Sequence, residues 1–216
     1  MLFDFATLPR DKRAKLLLST VVPRPIAWVT TQDEAGQLNA APFSFFNLLS
    51  TEPPVLGLGI APRGAGRKDT AANIRAGGEF VVNLVSAALA QPMNVTAVDF
   101  EAGTDELATA GLHPAASDTV APPRIAEAPV ALECRVLSLT ELPSGSLIVL
   151  GSILALHIDP ARLLDAERCH VDTPSLDLIG RMHGAGWYAH TRPAGLFEMP
   201  RIQPAALAPA QTPGPR

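Results

Sequence analysis

Apolar positions along this chain fall into short runs punctuated by glycine and proline, not into long helical stripes. Residues 26–31 (IAWVTT) are β-branched and aromatic, which predicts a strand. A turn follows at 32–36 (QDEAG), and 38–41 resume as its hairpin partner. Residues 55–60 read as a short buried strand and 79–85 (EFVVNLV) as another. The clearest hairpin pairs 130–142 with 147–158 around Pro143-Ser-Gly-Ser146. Helical patterning is confined to the gaps. Residues 8–19 predict a short amphipathic helix with Pro9 near its start. Asp69-Thr70 opens a second, with Asp69 as cap and Gly77-Gly78 as stop. Residues 86–110 read as helical with breaks near Pro92 and Gly103, and 162–169 as a short helix. Strand pairs separated by one or two helices, without regular βαβ alternation, predict an antiparallel barrel with peripheral helices.

The 21 prolines and 16 glycines among 216 residues agree with a punctuated, mainly β domain. This length suits one domain, expected over 1–199, followed by a flexible Pro/Ala-rich tail over 200–216 without apolar periodicity. The net charge is −4, which argues against a general nucleic-acid binder, since that affinity needs many Lys/Arg contacts to phosphate. A charged fraction of only 18% hints at surface meant to be covered by another subunit. The most apolar stretch, 147–158, is interrupted by Gly151, Ser152 and His157 and is too short to span a bilayer. With no basic-then-apolar leader, and with Cys134 and Cys169 far apart and outside any CxxC, the expectation is a cytoplasmic protein with reduced thiols.

Two segments carry candidate chemistry. Arg63-Gly-Ala-Gly-Arg67-Lys68-Asp69-Thr70 sets three cations, two glycines and a hydroxyl at a helix start. Unpaired amides, a positive helix end and charge-assisted bonds would suit a phosphate there; the alternative is a solvated basic turn. It is not a P-loop, because Asp69 separates Lys68 from Thr70. Residues 39–47 mix amides, a hydroxyl and aromatic rings. A flat heteroaromatic ligand needs an apolar face and a few edge hydrogen bonds, which Ser44 and the backbone around Pro42 could supply; the alternative is a bulged strand with its Phe side chains in the core. Hydrolase and metal patterns are missing. There is no GxSxG, His183 and His190 are wrongly spaced for HExxH, and His170 with Asp172 lacks a third ligand. Cys134 reads as a buried thiol.

Taken in order, Arg24-Pro-Ile-Ala-Trp-Val-Thr30, Gly36 to Asn39, Ala41-Pro-Phe-Ser44, Pro53-Pro54, Lys68-Asp-Thr70 with Asn73-Ile74, Glu79-Phe-Val-Val-Asn83, and Gly180-Arg181-Met182 with Tyr188 resemble the flavin reductase-like, FMN-binding split-barrel family. The resemblance implies an antiparallel Greek-key split β-barrel with peripheral helices, working as a homodimer with flavin near the subunit boundary. It implies an isoalloxazine along Asn39, Pro42, Phe43, Ser44 and Asn47. It implies a phosphate held by Arg63, Lys68 and Thr70, with Arg67 and Asp69 in the same loop. FMN is the implied cofactor, FAD the alternative, and NADH or NADPH the co-substrate. The implied activity is an NAD(P)H-dependent flavin reductase passing hydride to the flavin N5, with no catalytic side chain required and a redox or monooxygenase partner downstream. Alternatives are a flavoredoxin-like FMN electron carrier and a barrel that has lost its flavin. The His-centred motif of two-component monooxygenase reductases is not evident; His183 is its nearest substitute.

Overall fold

The structure is a computed structural model that describes residues 1–62, 69–98, 100 and 104–199. Its helices are α1 (Arg10–Thr20), α2 (Asp69–Gly77), α3 (Ala90–Val95) and α4 (Glu106–Thr109). Its first six strands are β1 (Arg24–Pro25), β2 (Ala27–Gln32), β3 (Leu38–Phe43), β4 (Phe46–Thr51), β5 (Pro54–Ile60) and β6 (Glu79–Leu84). The rest are β7 (Pro114–Ala115), β8 (Arg124–Ile125), β9 (Val130–Glu141), β10 (Leu147–Ile158), β11 (Leu163–Asp165), β12 (His170–Val171), β13 (Ile179–Arg181) and β14 (Tyr188–His190).

Seven strands form one antiparallel sheet in the order β3-β2-β6-β9-β10-β5-β4. Strands β3 and β4 lie at opposite edges, yet only Ser44 and Phe45 join them. Three Cα steps span at most about 11 Å, so the sheet must curl until its edges nearly meet. Gly59 N donates to Phe45 O at 2.7 Å and ties that corner to β5. The result is a barrel open along one seam, as expected for a split barrel. A small β1-β13-β14 sheet leads off from it.

Period-two alternation fills the barrel. Ala27 and Val29 of β2, Leu56, Leu58 and Ile60 of β5, and Phe80 and Val82 of β6 point inward with Ala71 and Ile74 of α2. The opposite face of β2 is also buried: Trp28 packs with Met93, Leu107 and Ile125 of the peripheral elements. Its indole donates to Thr96 Oγ1 at 2.9 Å. Asn83 is a buried staple: its Nδ2 donates to Trp28 O at 3.0 Å, and its Oδ1 accepts from Ile125 N at 2.8 Å.

Gly151 lies where β10 crosses Phe80, and a Cβ there would come within 2.6 Å of Phe80 Cζ. Gly151→Ala is therefore expected to lower stability by about 1–3 kcal/mol, read by denaturant unfolding. An unchanged midpoint would show that the ring moves aside freely.

Two local readings are corrected. The expected helix over 162–169 does not form: Arg162 only ends a short 3₁₀ turn (Pro160–Arg162), Leu163–Asp165 forms β11 against β12, and the turn between them includes an Asp165 Oδ1 bond from Arg168 N at 3.0 Å and Cys169 at φ 53°. An acidic side chain that closes a turn competes with helix propagation. Pro92 does not break a helix either. It sits in the first turn of α3, where a missing N–H has no intrahelical acceptor to lose.

Helix α1 buries none of its own residues. Arg24 anchors its end, with Nη1 donating to Leu18 O at 2.9 Å and Val21 O at 2.6 Å, and Nη2 to Met182 O at 3.0 Å. A cation at the carbonyl end of a helix matches its dipole.

Candidate functional site

Pairing of β2 with β3 sets Thr31 opposite Asn39. Packing of Ala71 and Ile74 into the barrel draws the start of α2 down beside them. Helix α4 closes the third side, begun by Asp105, whose Oδ1 accepts from Ala108 N at 3.0 Å. Between these elements lies a cavity of about 110 Å³ lined by Asn39, Pro42, Asp69, Thr70, Phe100 and Glu106, among others. A neighbouring cavity of about 170 Å³ shares Asn39, Asp69 and Glu106 and adds Asp33 and Asn73.

The floor is a buried polar network. Asn39 Nδ2 donates to Glu106 Oε1 at 2.7 Å, and Ala40 N donates to Glu106 Oε2 at 3.2 Å. Thr70 Oγ1 donates to Asn39 Oδ1 at 2.6 Å, and Thr31 Oγ1 reaches the same oxygen at 3.4 Å. Asn73 Nδ2 donates to Thr31 Oγ1 at 3.1 Å. Asn39, Thr31, Thr70 and Glu106 are all buried. Burial pushes the Glu106 carboxyl above its ordinary range; the bonds from Ala40 and Asn39 oppose this, and the nearby Asp69 charge adds to it. Among the described lining residues the only formal charges are acidic.

The residues expected along one flavin edge are dispersed by the corner at Ser44–Phe45. Asn39 and Pro42 line the polar cavity. Phe43 is buried in the barrel core. Ser44 sits at the corner, and Asn47 lines a different, mostly apolar groove of about 670 Å³ with Phe46, Leu48, Leu84, Ile153 and Ile179. Asp69 and Thr70 join Asn39 and Pro42, whereas Arg63, Arg67 and Lys68 lie outside the described residues. His183 lines neither cavity and stacks on Trp187 with ring centroids 6.0 Å apart.

Sequence reasoning missed Glu106. An acidic residue beside the helix cap Asp105 looks like ordinary first-turn decoration, and only the fold shows it buried against β3.

A second buried carboxylate, Glu133 of β9, is tied into a structural knot. It accepts from Thr119 Oγ1, from the amides of Asp118 and Thr119, and from His157 Nε2. Asp118 Oδ2 lies 3.6 Å from the same His157 nitrogen. Burial alone would raise the Glu133 carboxyl, but the bonds from Thr119, Asp118 and His157 outweigh it and hold it down to about 2. Cys134, next in sequence, is pushed up to about 12 by burial and by the Glu133 charge, which makes it an inert thiol at neutral pH.

Residues 18–172 match the family model described as flavin reductase like domain. An uncharacterised protein of Deinococcus radiodurans is 49% identical over 205 residues, covering 93% of this chain and 89% of its own. Among solved structures, 2-nitrobenzoate 2-nitroreductase NbaA of Pseudomonas fluorescens superposes with a TM-score of 0.83 at 28% identity, covering 98% of this chain and 100% of its own. Nitrilotriacetate monooxygenase component B of Bacillus cereus gives 0.83 at 26% identity, over 94% and 98%. The fold is thus that of a split-barrel protein. The chain belongs to the flavin reductase-like family.

Proposed function

We propose that this protein is an FMN-binding oxidoreductase that takes hydride from NADH or NADPH, with FAD as the alternative flavin. The observation that carries the reading is the polar cavity at the start of α2, where Asn39, Pro42, Asp69 and Thr70 converge. The cavity is smaller than the roughly 300–1,000 Å³ of ordinary ligand pockets, so it fits a phosphate-sized head and not a whole flavin. The first amides of α2 have no intrahelical acceptors and suit an anion. In this reading Arg63, Arg67 and Lys68 add the compensating charge. Ser44 and the backbone around Pro42 offer ring-edge hydrogen bonds. Phe43 supports the strand from behind, and Asn47 serves the apolar groove.

When bound, FMN supplies the hydride-accepting ring, and the protein supplies binding, orientation and exclusion of water. This division of labour agrees with a site that needs no side-chain acid or base. The names of NbaA and of the monooxygenase component point to a role that includes passing reducing equivalents onward to an acceptor or a partner protein.

The test is anaerobic mixing of FMN-loaded protein with NADH and with NADPH. Rapid loss of the visible flavin absorbance with either nucleotide supports the reductase. Reduction only by an electron-transfer protein would replace it with the carrier reading, and failure to retain or turn over any flavin would overturn both.

The reading includes a homodimer. Phe45, Leu48, Leu49, Leu154 and Leu156 are each more than 40% exposed, and Leu48 and Leu156 rim the apolar groove. An apolar groove rimmed by exposed leucines suits an interaction site, and a two-fold pair is the commonest closed assembly. Light scattering is expected to report ~45 kDa, twice the 22.7 kDa chain mass. A mass near that of one chain at micromolar concentration contradicts it.

A further inference from the structure

Glu133 carries a formal charge where charge is costly. A buried ion persists only when it is paired or coordinates a metal. The Glu133 side chain is fully buried, yet among the described residues no lysine or arginine lies within ion-pair distance of it or of Asp118. Its one counter-charge is His157, which is a cation only when protonated. The amides of Asp118 and Thr119 and the Thr119 hydroxyl solvate the charge without cancelling it. With a neutral imidazole, the two carboxylates leave two negative charges uncompensated.

Strand pairing builds the group. Ala155 of β10 sits opposite Glu133 of β9, so His157, two positions further on, shares its face of the sheet. Asp118, on the segment between β7 and β8, is drawn in by its own backbone, whose N donates to Glu133 Oε1 at 2.8 Å. His157 Nε2 then lies 2.5 Å from Glu133 Oε1 and 3.6 Å from Asp118 Oδ2. One ligand atom from each of the three residues falls within 4.8 Å of the others. An imidazole with two carboxylates suits zinc and its neighbours, whereas calcium and magnesium favour oxygen alone. We propose that Asp118, Glu133 and His157 are the protein ligands of a divalent transition-metal ion of the zinc class, which clips the segment between β7 and β8 to the barrel.

The exchange leaves Glu133 satisfied. The ion takes the place of the proton between His157 Nε2 and Glu133 Oε1, while the two amides and the hydroxyl keep their bonds. The imidazole moves its proton to Nδ1, which has no partner among the described residues and belongs to a partly exposed ring that water can reach. Ligand atoms about 2.1 Å from a tetrahedral zinc stand about 3.4 Å apart. The Asp118–His157 spacing is already close to that, and the Glu133–His157 spacing has to open by about 1 Å. Asp118 is 80% exposed, so a fourth position is open to water. The three ligands are 15 and 24 residues apart along the chain, and no short spacing motif announces them.

Chelator-treated protein is titrated with Zn²⁺ in competition with a chromophoric chelator, and with Co²⁺ followed by its visible ligand-field bands. One ion per chain is expected, with no thiolate-to-metal band. Zn²⁺ should raise the unfolding midpoint, and the His157 Nε2 resonance should change from a protonated to a metal-bound nitrogen. Asp118→Asn replaces an exposed carboxylate and keeps the backbone bond to Glu133. His157→Gln keeps a donor for Glu133 and removes the imidazole. Each should weaken the ion by at least about tenfold and abolish the rise in midpoint. Wild-type affinity weaker than about 0.1 mM, or equal affinity in wild type and Asp118→Asn, overturns the inference. A thiolate band overturns it too, because it places the ion on the exposed Cys169. Should His157→Gln not fold, Asp118→Asn and the His157 resonance of the wild type decide.

Discussion

Glu133→Gln is expected to destabilise the protein by about 3 kcal/mol at neutral pH. The carboxylate is fully buried and accepts from two backbone amides, a hydroxyl and an imidazole. A glutamine keeps one acceptor oxygen and turns an NH₂ toward donors that it cannot satisfy. The loss should depend on pH with a definite sign. The folded carboxyl is held at about 2 against an ordinary 4.5. A depressed acid contributes its stability above the ordinary value and loses it as pH falls through the folded one. The wild type should therefore lose about 3 kcal/mol between roughly pH 5 and pH 2 from this group, while the variant lacks that component. Urea unfolding of both at fixed protein concentration, at neutral pH and near pH 3, reads the difference. A gap below about 1 kcal/mol at neutral pH, or one that does not shrink with acid, would mean that Glu133 is not the pin of residues 117–120.

The barrel strands were legible because a strand buried on its sheet writes itself as a short apolar run between turn residues. Val55 to Ile60 was read as such a buried strand and Glu79 to Val85 as another, and Leu56, Leu58, Ile60, Phe80 and Val82 do enter the barrel core. The barrel closure was carried by topology: a two-residue corner between opposite sheet edges cannot be seen in the apolar pattern. That same corner explains why residues 39–47, continuous in sequence, divide among a polar cavity, the core and an apolar groove. Several residues that carry the family resemblance turn out to hold the fold. Asn83 staples β2, β6 and β8, Arg24 anchors α1, and Trp28 is sealed under α3. A motif residue therefore need not be a ligand. Glu106 shows the converse: it drew no notice in the sequence because a carboxylate at a helix start is ordinary. It gains meaning only from the β3 backbone that buries it. The turn at 166–169 was misread because Leu163 and Leu164 look helical until the Asp165 side chain closes on Arg168.

The acidic lining of the polar cavity sharpens the expectation for Lys68. Asp69 and Glu106 are the described charged residues around it. A phosphate placed there without cations would meet repulsion from both, so a basic sequence immediately before α2 is what an anion site in this position requires. Lys68 directly precedes Asp69, the first residue of α2, and Arg63 and Arg67 are its neighbours in sequence. Losing one charge-assisted bond costs about 1.5–3 kcal/mol, which predicts that Lys68→Ala weakens FMN binding by about tenfold to a hundredfold. Riboflavin carries the same ring without the phosphate, so its affinity should barely change. The contrast distinguishes a phosphate contact from general damage to the barrel, because damage would lower both affinities together. Both flavins are titrated into flavin-free wild type and variant by fluorescence quenching. Equal loss of FMN and riboflavin, or loss of neither, would remove Lys68 from the phosphate site and move the proposed cofactor away from the start of α2.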